Sequence, residues 1–167
     1  MQSDDLNNFV EVLRGQYLKA FDAILALIDH CPDEMWTESH GGFPMAQQLL
    51  HPILDSIYYL RHDNRPPERL ETIVARLDVL QPNLERPATE TLSKDEIRAL
   101  AGEHRPEIEE WFDTLADCGL EESATDEGET KLRTTLMNLR HLAYHGGHAD
   151  AAFHERNMKA PGWGYMS

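Results

Sequence analysis

The sequence predicts an all-α protein built as a four-helix bundle. Four segments carry apolar residues at the three- and four-residue spacing of an amphipathic helix, and no segment alternates apolar and polar residues as a half-buried strand does. A proline-rich crossover from residue 64 to residue 92 separates the second and third segments. It is long enough to return along a helix of about 30 Å, so the expected order is up-down-down-up. The 167 residues suit one domain spanning 1–167, with a short tail at about 158–167.

The first helix is expected from about residue 5 to residue 28, and Pro32 follows its end. Its stripe comprises Leu6, Phe9, Val10, Leu13, Tyr17, Phe21, Ile24 and Ile28. Residues 38 to 42 are expected to form a loop, because adjacent glycines break regular structure.

The second helix is expected from Pro44 to about residue 63. Pro44 suits a first helical position, and Pro52 in the interior should bend the helix. Its apolar residues are Ala46, Leu50, Ile53, Leu54, Ile57 and Leu60. Within the crossover, apolar spacing from residue 70 to residue 77 predicts one short helix.

The third helix is expected to begin after Ser93, where Glu96 completes a capping box, and to stop near Gly119. Its seam consists of Ile97, Ala101, His104, Ile108, Trp111 and Leu115. The fourth helix is expected from about residue 131 to residue 157. One of its stripes contains Leu132, Leu136, Leu139, Ala143 and Gly146, and three histidines lie nearly opposite, beside Thr134, Met137 and Ala152. Two apolar sides predict burial on both, one in the bundle and the other in a homodimer.

Charge and cysteine content narrow the possible partners and location. The chain has 30 acidic and 15 basic residues, a net charge of -15, which disfavours nucleic acids and anionic membrane surfaces as partners. Cys31 and Cys118 lack CxxC spacing, and the acidic N-terminal segment is not of the signal-peptide type. A cytoplasmic protein with reduced thiols is expected.

The motif that carries chemistry is a histidine cluster in the fourth helix. His141 and His145 are four residues apart, and His148 falls on the same face, so their rings are close enough to share a metal ion. A third ligand must come from elsewhere, and His51 in the second helix is the candidate. The sequence has no HExxH, ExxH, GxSxG, Walker A or GxGxxG motif. A solvated histidine face without any ligand is the competing interpretation.

The order of these motifs resembles the DinB-like family of metal-binding four-helix proteins, also described as YfiT-like putative metal-dependent hydrolases. The second-helix motif is QLLHPILD, residues 48 to 55, and the last-helix motif is HLAYHGGH, residues 141 to 148. The resemblance implies that His51, His141 and His145 bind the metal. Two positions depart from the family pattern: His148 replaces a frequent glutamine, which makes it a possible fourth or outer ligand, and Pro52 replaces an aliphatic residue.

The resemblance implies a divalent metal, zinc or nickel, with an open position for a small-molecule substrate. It suggests a thiol S-transferase that uses a low-molecular-weight thiol as cosubstrate, or a hydrolase. A non-catalytic homodimeric sensor or scaffold is the alternative, and a helical interaction module is a third possibility. Asp55 is a weak candidate for a catalytic base, and a solvated carboxylate is the simpler interpretation. Arg61 and Arg140 could hold a substrate carboxylate, and Trp36, Trp111 and Trp163 could line a pocket or fill the core.

Overall fold

A computed structural model describes residues 3–61, 70–118, 120 and 129–161. Most of these residues are helical. In chain order the elements are α1 (Ser3–His30), α2 (Asp33–Trp36), β1 (Ser39–His40), β2 (Phe43–Pro44), α3 (Met45–Tyr59), α4 (Glu71–Val74), α5 (Leu77–Leu80), α6 (Lys94–Cys118) and α7 (Lys131–Glu155). The prediction of four long helices is confirmed, as α1, α3, α6 and α7 pack together. Within the described residues no helix has the length and apolarity that crossing a membrane requires.

The core lies between the long helices. Helix α7 packs on α1 and α3, and α6 packs mainly on α1. The apolar stripe predicted for the third long helix, α6, is buried along its whole length. The stripes predicted for α1 and α3 are buried with few exceptions. Phe9 is the clearest exception, since 41% of it is exposed near the start of α1. The largest fully buried side chains are Trp111, Tyr17, Phe21, Phe112 and Phe153.

The expected loop at residues 38–42 contains a small antiparallel hairpin, so the all-α prediction needs this correction. Strand β1 pairs with β2, and Gly41 and Gly42 form the turn with φ of 61° and 98°. Both angles lie in the left-handed region, where glycine is favoured because it has no Cβ. The amide of Gln48 in α3 donates hydrogen bonds to the carbonyls of His40 and Phe43, which fixes the hairpin on the helix.

The helix ends agree with the sequence in part. The Ser93–Glu96 capping box is formed, with the Glu96 N–H 3.2 Å from the Ser93 hydroxyl and the Ser93 N–H 2.7 Å from the Glu96 carboxylate. Helix α3 ends at Tyr59, earlier than expected, and the predicted stop at Gly119 lies outside the described residues. The crossover contains two single turns, α4 and α5, where one short helix was expected.

The buried face of α7 differs from the expected one. Leu136 is 46% exposed and Leu132 and Leu139 are only partly buried, whereas Thr134, Thr135, Asn138, Leu142, His145, Ala149, Ala152 and Phe153 are buried. Two of the polar residues, Thr135 and Asn138, accept hydrogen bonds there. Trp111 Nε1 donates to the Thr135 hydroxyl at 2.9 Å, and the Tyr17 hydroxyl donates to Asn138 Oδ1. The side of α7 that carries His145 therefore packs in the bundle, whereas Leu136 faces outward and Leu132 and Leu139 are partly buried against the core.

Candidate metal centre

Three histidines from two helices come together between α3 and α7. His141 and His145 are one helical turn apart on α7, and His51 reaches them from α3. His141 Nε2 lies 3.0 Å from His51 Nε2 and 2.8 Å from His145 Nε2. One ligand atom from each of the three residues lies within 4.8 Å of the others, so together they could hold a metal ion.

Two outer contacts orient these rings. Asp55, one turn after His51 on α3, places Oδ2 3.0 Å from Nδ1 of His141. The backbone of Pro82 lies near the His51 ring and acts to raise its pKa, against the larger effect of desolvation. A carboxylate or carbonyl behind an imidazole is the usual outer partner of a metal-binding histidine, since it fixes the tautomer and the ring plane.

The contact with Asp55 directs a lone pair of His141 at the other two histidines. A neutral imidazole has one N–H and one lone pair. With the proton of His141 on Nδ1 towards Asp55, its Nε2 presents a lone pair, and this nitrogen lies 3.0 Å from Nε2 of His51 and 2.8 Å from Nε2 of His145. A second lone pair facing it at this distance would repel it unless a proton or a cation lies between them.

Burial disfavours a proton on either His145 or His51. His145 is only 6% exposed, and desolvation, followed by repulsion from His51 and His141, lowers its pKa to about 3. Desolvation also lowers the pKa of His51, against the opposing effect of Asp55. Both imidazoles are therefore neutral at pH 7, which is the form that binds a metal.

The donor set fits a divalent cation. Imidazole suits zinc and nickel, and three nitrogens around a tetrahedral zinc lie about 3.3 Å apart, because Zn–N is about 2.0–2.1 Å. The two measured separations, 2.8 and 3.0 Å, are slightly shorter. A small outward shift of the rings would accommodate the ion.

The other predicted site residues lie at different places. Asp55 is part of the candidate metal centre, where its carboxylate contacts Nδ1 of His141. His148 is exposed and is not part of the three-histidine cluster; its ring lies 5.0 Å from that of Tyr144. The guanidinium of Arg61 lies over the Tyr58 ring at 4.2 Å, with Nε and Nη1 buried and unbonded.

The described tryptophans and Cys31 lie in the hydrophobic core. Trp36 and Trp111 are buried in the core, and Trp163 lies outside the described residues. Cys31 is 2% exposed, and burial raises the pKa of its thiol to about 11. The side chain of Cys118 lies outside the described set.

Sequence reasoning missed the residues that support His51. Gln47, one turn before His51, donates to the carbonyls of Gln81 and Arg86 and accepts from the N–H of Ala88. These bonds fix the crossover segment that carries Pro82. A glutamine inside an apolar helix stripe, one turn from a candidate ligand, was the available signal.

A second polar cluster has the distances of a hydrolase triad but no access for a substrate. Ser56 Oγ lies 2.9 Å from His104 Nε2, and His104 Nδ1 lies 2.8 Å from Glu107 Oε2. Ser56 and His104 are fully buried, and the Tyr17 hydroxyl covers Ser56 at 2.7 Å. A nucleophile must reach its substrate, so we interpret this cluster as a structural connection between helices.

Comparisons with protein-family models, with curated proteins and with solved structures give no match.

Proposed function

We propose that this protein binds one divalent metal ion, zinc or nickel, through His51, His141 and His145, and that it is a metal-dependent enzyme acting on a small molecule. The observation that carries the proposal is the convergence of the three Nε2 atoms, with Nε2 of His141 3.0 Å from that of His51 and 2.8 Å from that of His145. A cation at this point would accept a lone pair from each ring.

The histidines, Asp55 and the buried side of α7 have distinct roles in the proposed metal centre. The three imidazoles would hold the ion without adding negative charge, because none of them is an anion. A bound divalent cation would lower the pKa of a thiol or a water that joins it. Asp55 keeps the proton of His141 on Nδ1 and so holds that ring in the ligating orientation. The buried side of α7 keeps bulk water away from His145.

A thiol S-transferase is the reaction that we favour, with a hydrolase as the neighbouring possibility. The nucleophile then comes from outside the chain, as a low-molecular-weight thiol or water. Cys31 supports this, because a buried thiol with its pKa raised to about 11 is a poor nucleophile at pH 7. A cytoplasmic location, where small thiols stay reduced, belongs to the same proposal.

We also retain the DinB-like resemblance as a proposal, together with the up-down-down-up order and a single domain. It is supported by the spacing of the histidines and by a long crossover that packs beside His51. No nucleic acid or membrane partner is proposed, since the strong negative charge disfavours both.

A non-catalytic homodimeric sensor or scaffold is the second candidate. One observation favours it: Leu136 and Met137 on the outer side of α7 are 46% and 38% exposed. Large apolar side chains next to each other on a surface are typical of a protein contact.

Cobalt substitution separates the two candidates. We expect the Co²⁺-loaded protein to show a new sulfur-to-cobalt absorption band when glutathione, cysteine or another small thiol is added, because a thiolate fills an open position. A His141→Ala variant should show no such band, whereas Cys31→Ala should behave as the wild type. A cobalt spectrum that no thiol alters would favour the non-catalytic candidate.

A further inference from the structure

A cavity of about 350 Å³ lies between α3 and α7 at the edge of the histidine cluster. Its wall is formed by Asp55, Tyr59, Met137, Arg140, His141 and Tyr144. Small-molecule sites in proteins have volumes of about 300–1,000 Å³, so this cavity suits a small metabolite better than a large cofactor. It meets the candidate metal centre at the Asp55–His141 pair.

Arg140 supplies the positive charge of this cavity. Within the described part of the chain, no carboxylate lies at ion-pair distance from its guanidinium. Most other described arginines do have one, as shown by Arg14, Arg76, Arg86, Arg98, Arg105, Arg133 and Arg156. Since Arg140 pairs with none of the described acidic residues in a chain with a net charge of -15, its guanidinium is available for an external anion.

Apart from Asp55 and His141, the rest of the wall consists of large side chains with apolar surface. Tyr59 and Tyr144 contribute aromatic rings, and Met137 contributes a polarisable thioether. Tyr144 is 58% exposed and Met137 38% exposed, although both are large. Such a surface favours a flat, unsaturated or aromatic body, because rings and thioethers make good contacts with π-systems.

We infer that this cavity binds a small organic anion with a flat, unsaturated body, and that Arg140 holds its carboxylate. The anionic end lies at Arg140 rather than at Asp55, because the Asp55 carboxylate repels it. The body then extends along Met137 and the tyrosines towards the His141 edge. The inference rests on the proposed function only in assigning this anion as the acceptor substrate; binding itself does not need the metal.

Ligand-observed NMR titrations with three probes test the inference on metal-free protein. Benzoate has both the charge and the flat body, benzamide has the body without the charge, and acetate has the charge without the body. We expect benzoate to bind about tenfold more tightly than either of the others, because charge-assisted bonds to arginine are about twice as strong as neutral ones. Arg140→Gln should weaken benzoate binding about tenfold, and Arg140→Lys should restore part of it.

Arg133→Gln is the matched control. Arg133 lies two turns earlier on α7, pairs with Glu129 at 2.9 Å, and lines a separate cavity that shares Met137 and Arg140 with the first. Its loss should leave benzoate binding unchanged. A larger effect of Arg133→Gln than of Arg140→Gln would move the anion to that second cavity and overturn the assignment.

Three other results would also overturn the inference: no benzoate binding, equal binding of benzoate and benzamide, or an Arg140→Gln variant with wild-type affinity. If benzoate binds only after zinc is added, and if Arg140→Gln does not change its affinity, the metal rather than Arg140 holds the carboxylate. Zinc stoichiometry is measured on the same samples. Arg140-dependent benzoate binding in a protein that takes up no zinc would refute the metal proposal while leaving the cavity assignment intact.

Discussion

Asp55 connects the two helices of the candidate metal centre through one side chain. It belongs to α3, but its closest contact is with Nδ1 of His141 on α7, at 3.0 Å. The sequence suggested a catalytic base or a solvated acid at this position. Its contact with Nδ1 of the His141 ring indicates a third role, which is to orient that ring.

Removing the charge of Asp55 should therefore weaken the metal site without abolishing it. We expect Asp55→Asn to reduce zinc affinity about 10- to 100-fold, as is usual for the outer partners of metal-bound histidines. Competition with a chromophoric chelator at pH 7.5 measures the affinity. Asp150→Asn is the matched control, because Asp150 contacts His154, a histidine outside the cluster, at 3.6 Å. Equal losses in both variants would contradict the proposed part of Asp55.

The low pKa of His145 should make metal-free protein less stable in mild acid. Unfolded His145 takes up a proton near its ordinary pKa of 6.5, whereas the folded residue resists until about pH 3. The unfolded state thus binds more protons between these values, and stability falls as the pH drops below about 6.5. From pH 7.5 to pH 5 this residue alone lowers the free energy of unfolding by about 2 kcal/mol.

Urea denaturation of chelator-treated protein at the two pH values measures this difference. His145→Gln should reduce it, since glutamine does not titrate. The carboxyls whose pKa is lowered by hydrogen bonds, Asp33 and Glu96, contribute little above pH 5, because ordinary values of 3.8 and 4.5 leave them mostly ionised in the unfolded state as well. His51, whose pKa is also lowered, adds a change of the same sign in the wild type and in the variant. An unchanged pH dependence in the variant would refute the assignment to His145.

At the scale of elements, α3 holds its surroundings through two adjacent glutamines with different targets. Gln47 binds the crossover that carries Pro82, and Gln48 binds the hairpin carbonyls of His40 and Phe43. Both side chains are buried. Only Gln47 is connected to the candidate metal centre, because its partners Gln81 and Arg86 belong to the crossover segment that brings the Pro82 backbone near His51.

These neighbours provide a matched pair of variants. Gln47→Leu and Gln48→Leu should each destabilise the fold by about 1–3 kcal/mol, because buried carbonyls lose their donors. Gln47→Leu should in addition weaken zinc binding severalfold, while Gln48→Leu should leave it unchanged. Chemical denaturation and zinc titration on both proteins provide the two readouts. Zinc affinities that agree between the variants would exclude a positioning role for Gln47.

Local sequence patterns were sufficient to predict most of the helices. Helical periodicity predicted the four long helices, and the Ser93–Glu96 pair predicted the start of α6. The His51, His141 and His145 set was also available from spacing and resemblance. The buried face of α7 was not, because apolar periodicity favours the leucine stripe. Thr135 and Asn138 are buried instead, since Trp111 and Tyr17 supply hydrogen bonds from distant parts of the chain.

At the scale of the whole molecule, the leucine stripe of α7 is only partly covered within the described chain, since Leu132 and Leu139 are partly buried against the core. Leu136 is its most exposed member, which keeps the sequence-based expectation of a homodimer open. We expect light scattering at micromolar concentration to give twice the chain mass of 19.1 kDa. Leu136→Glu should convert the dimer to a monomer by placing charge in an apolar contact. A wild-type protein that elutes as a clean monomer would contradict the dimer.

Elemental analysis of protein purified without added metal tests the proposed metal centre most directly. The convergence of His51, His141 and His145 predicts about one divalent ion per chain in the wild type, and no stoichiometric metal in a His51→Ala/His145→Ala double variant. His148→Ala, which alters an exposed histidine on the same helix, should retain the ion. Full metal occupancy in the folded double variant would contradict the assignment, and so would a wild type that stays metal-free after dialysis against zinc and nickel.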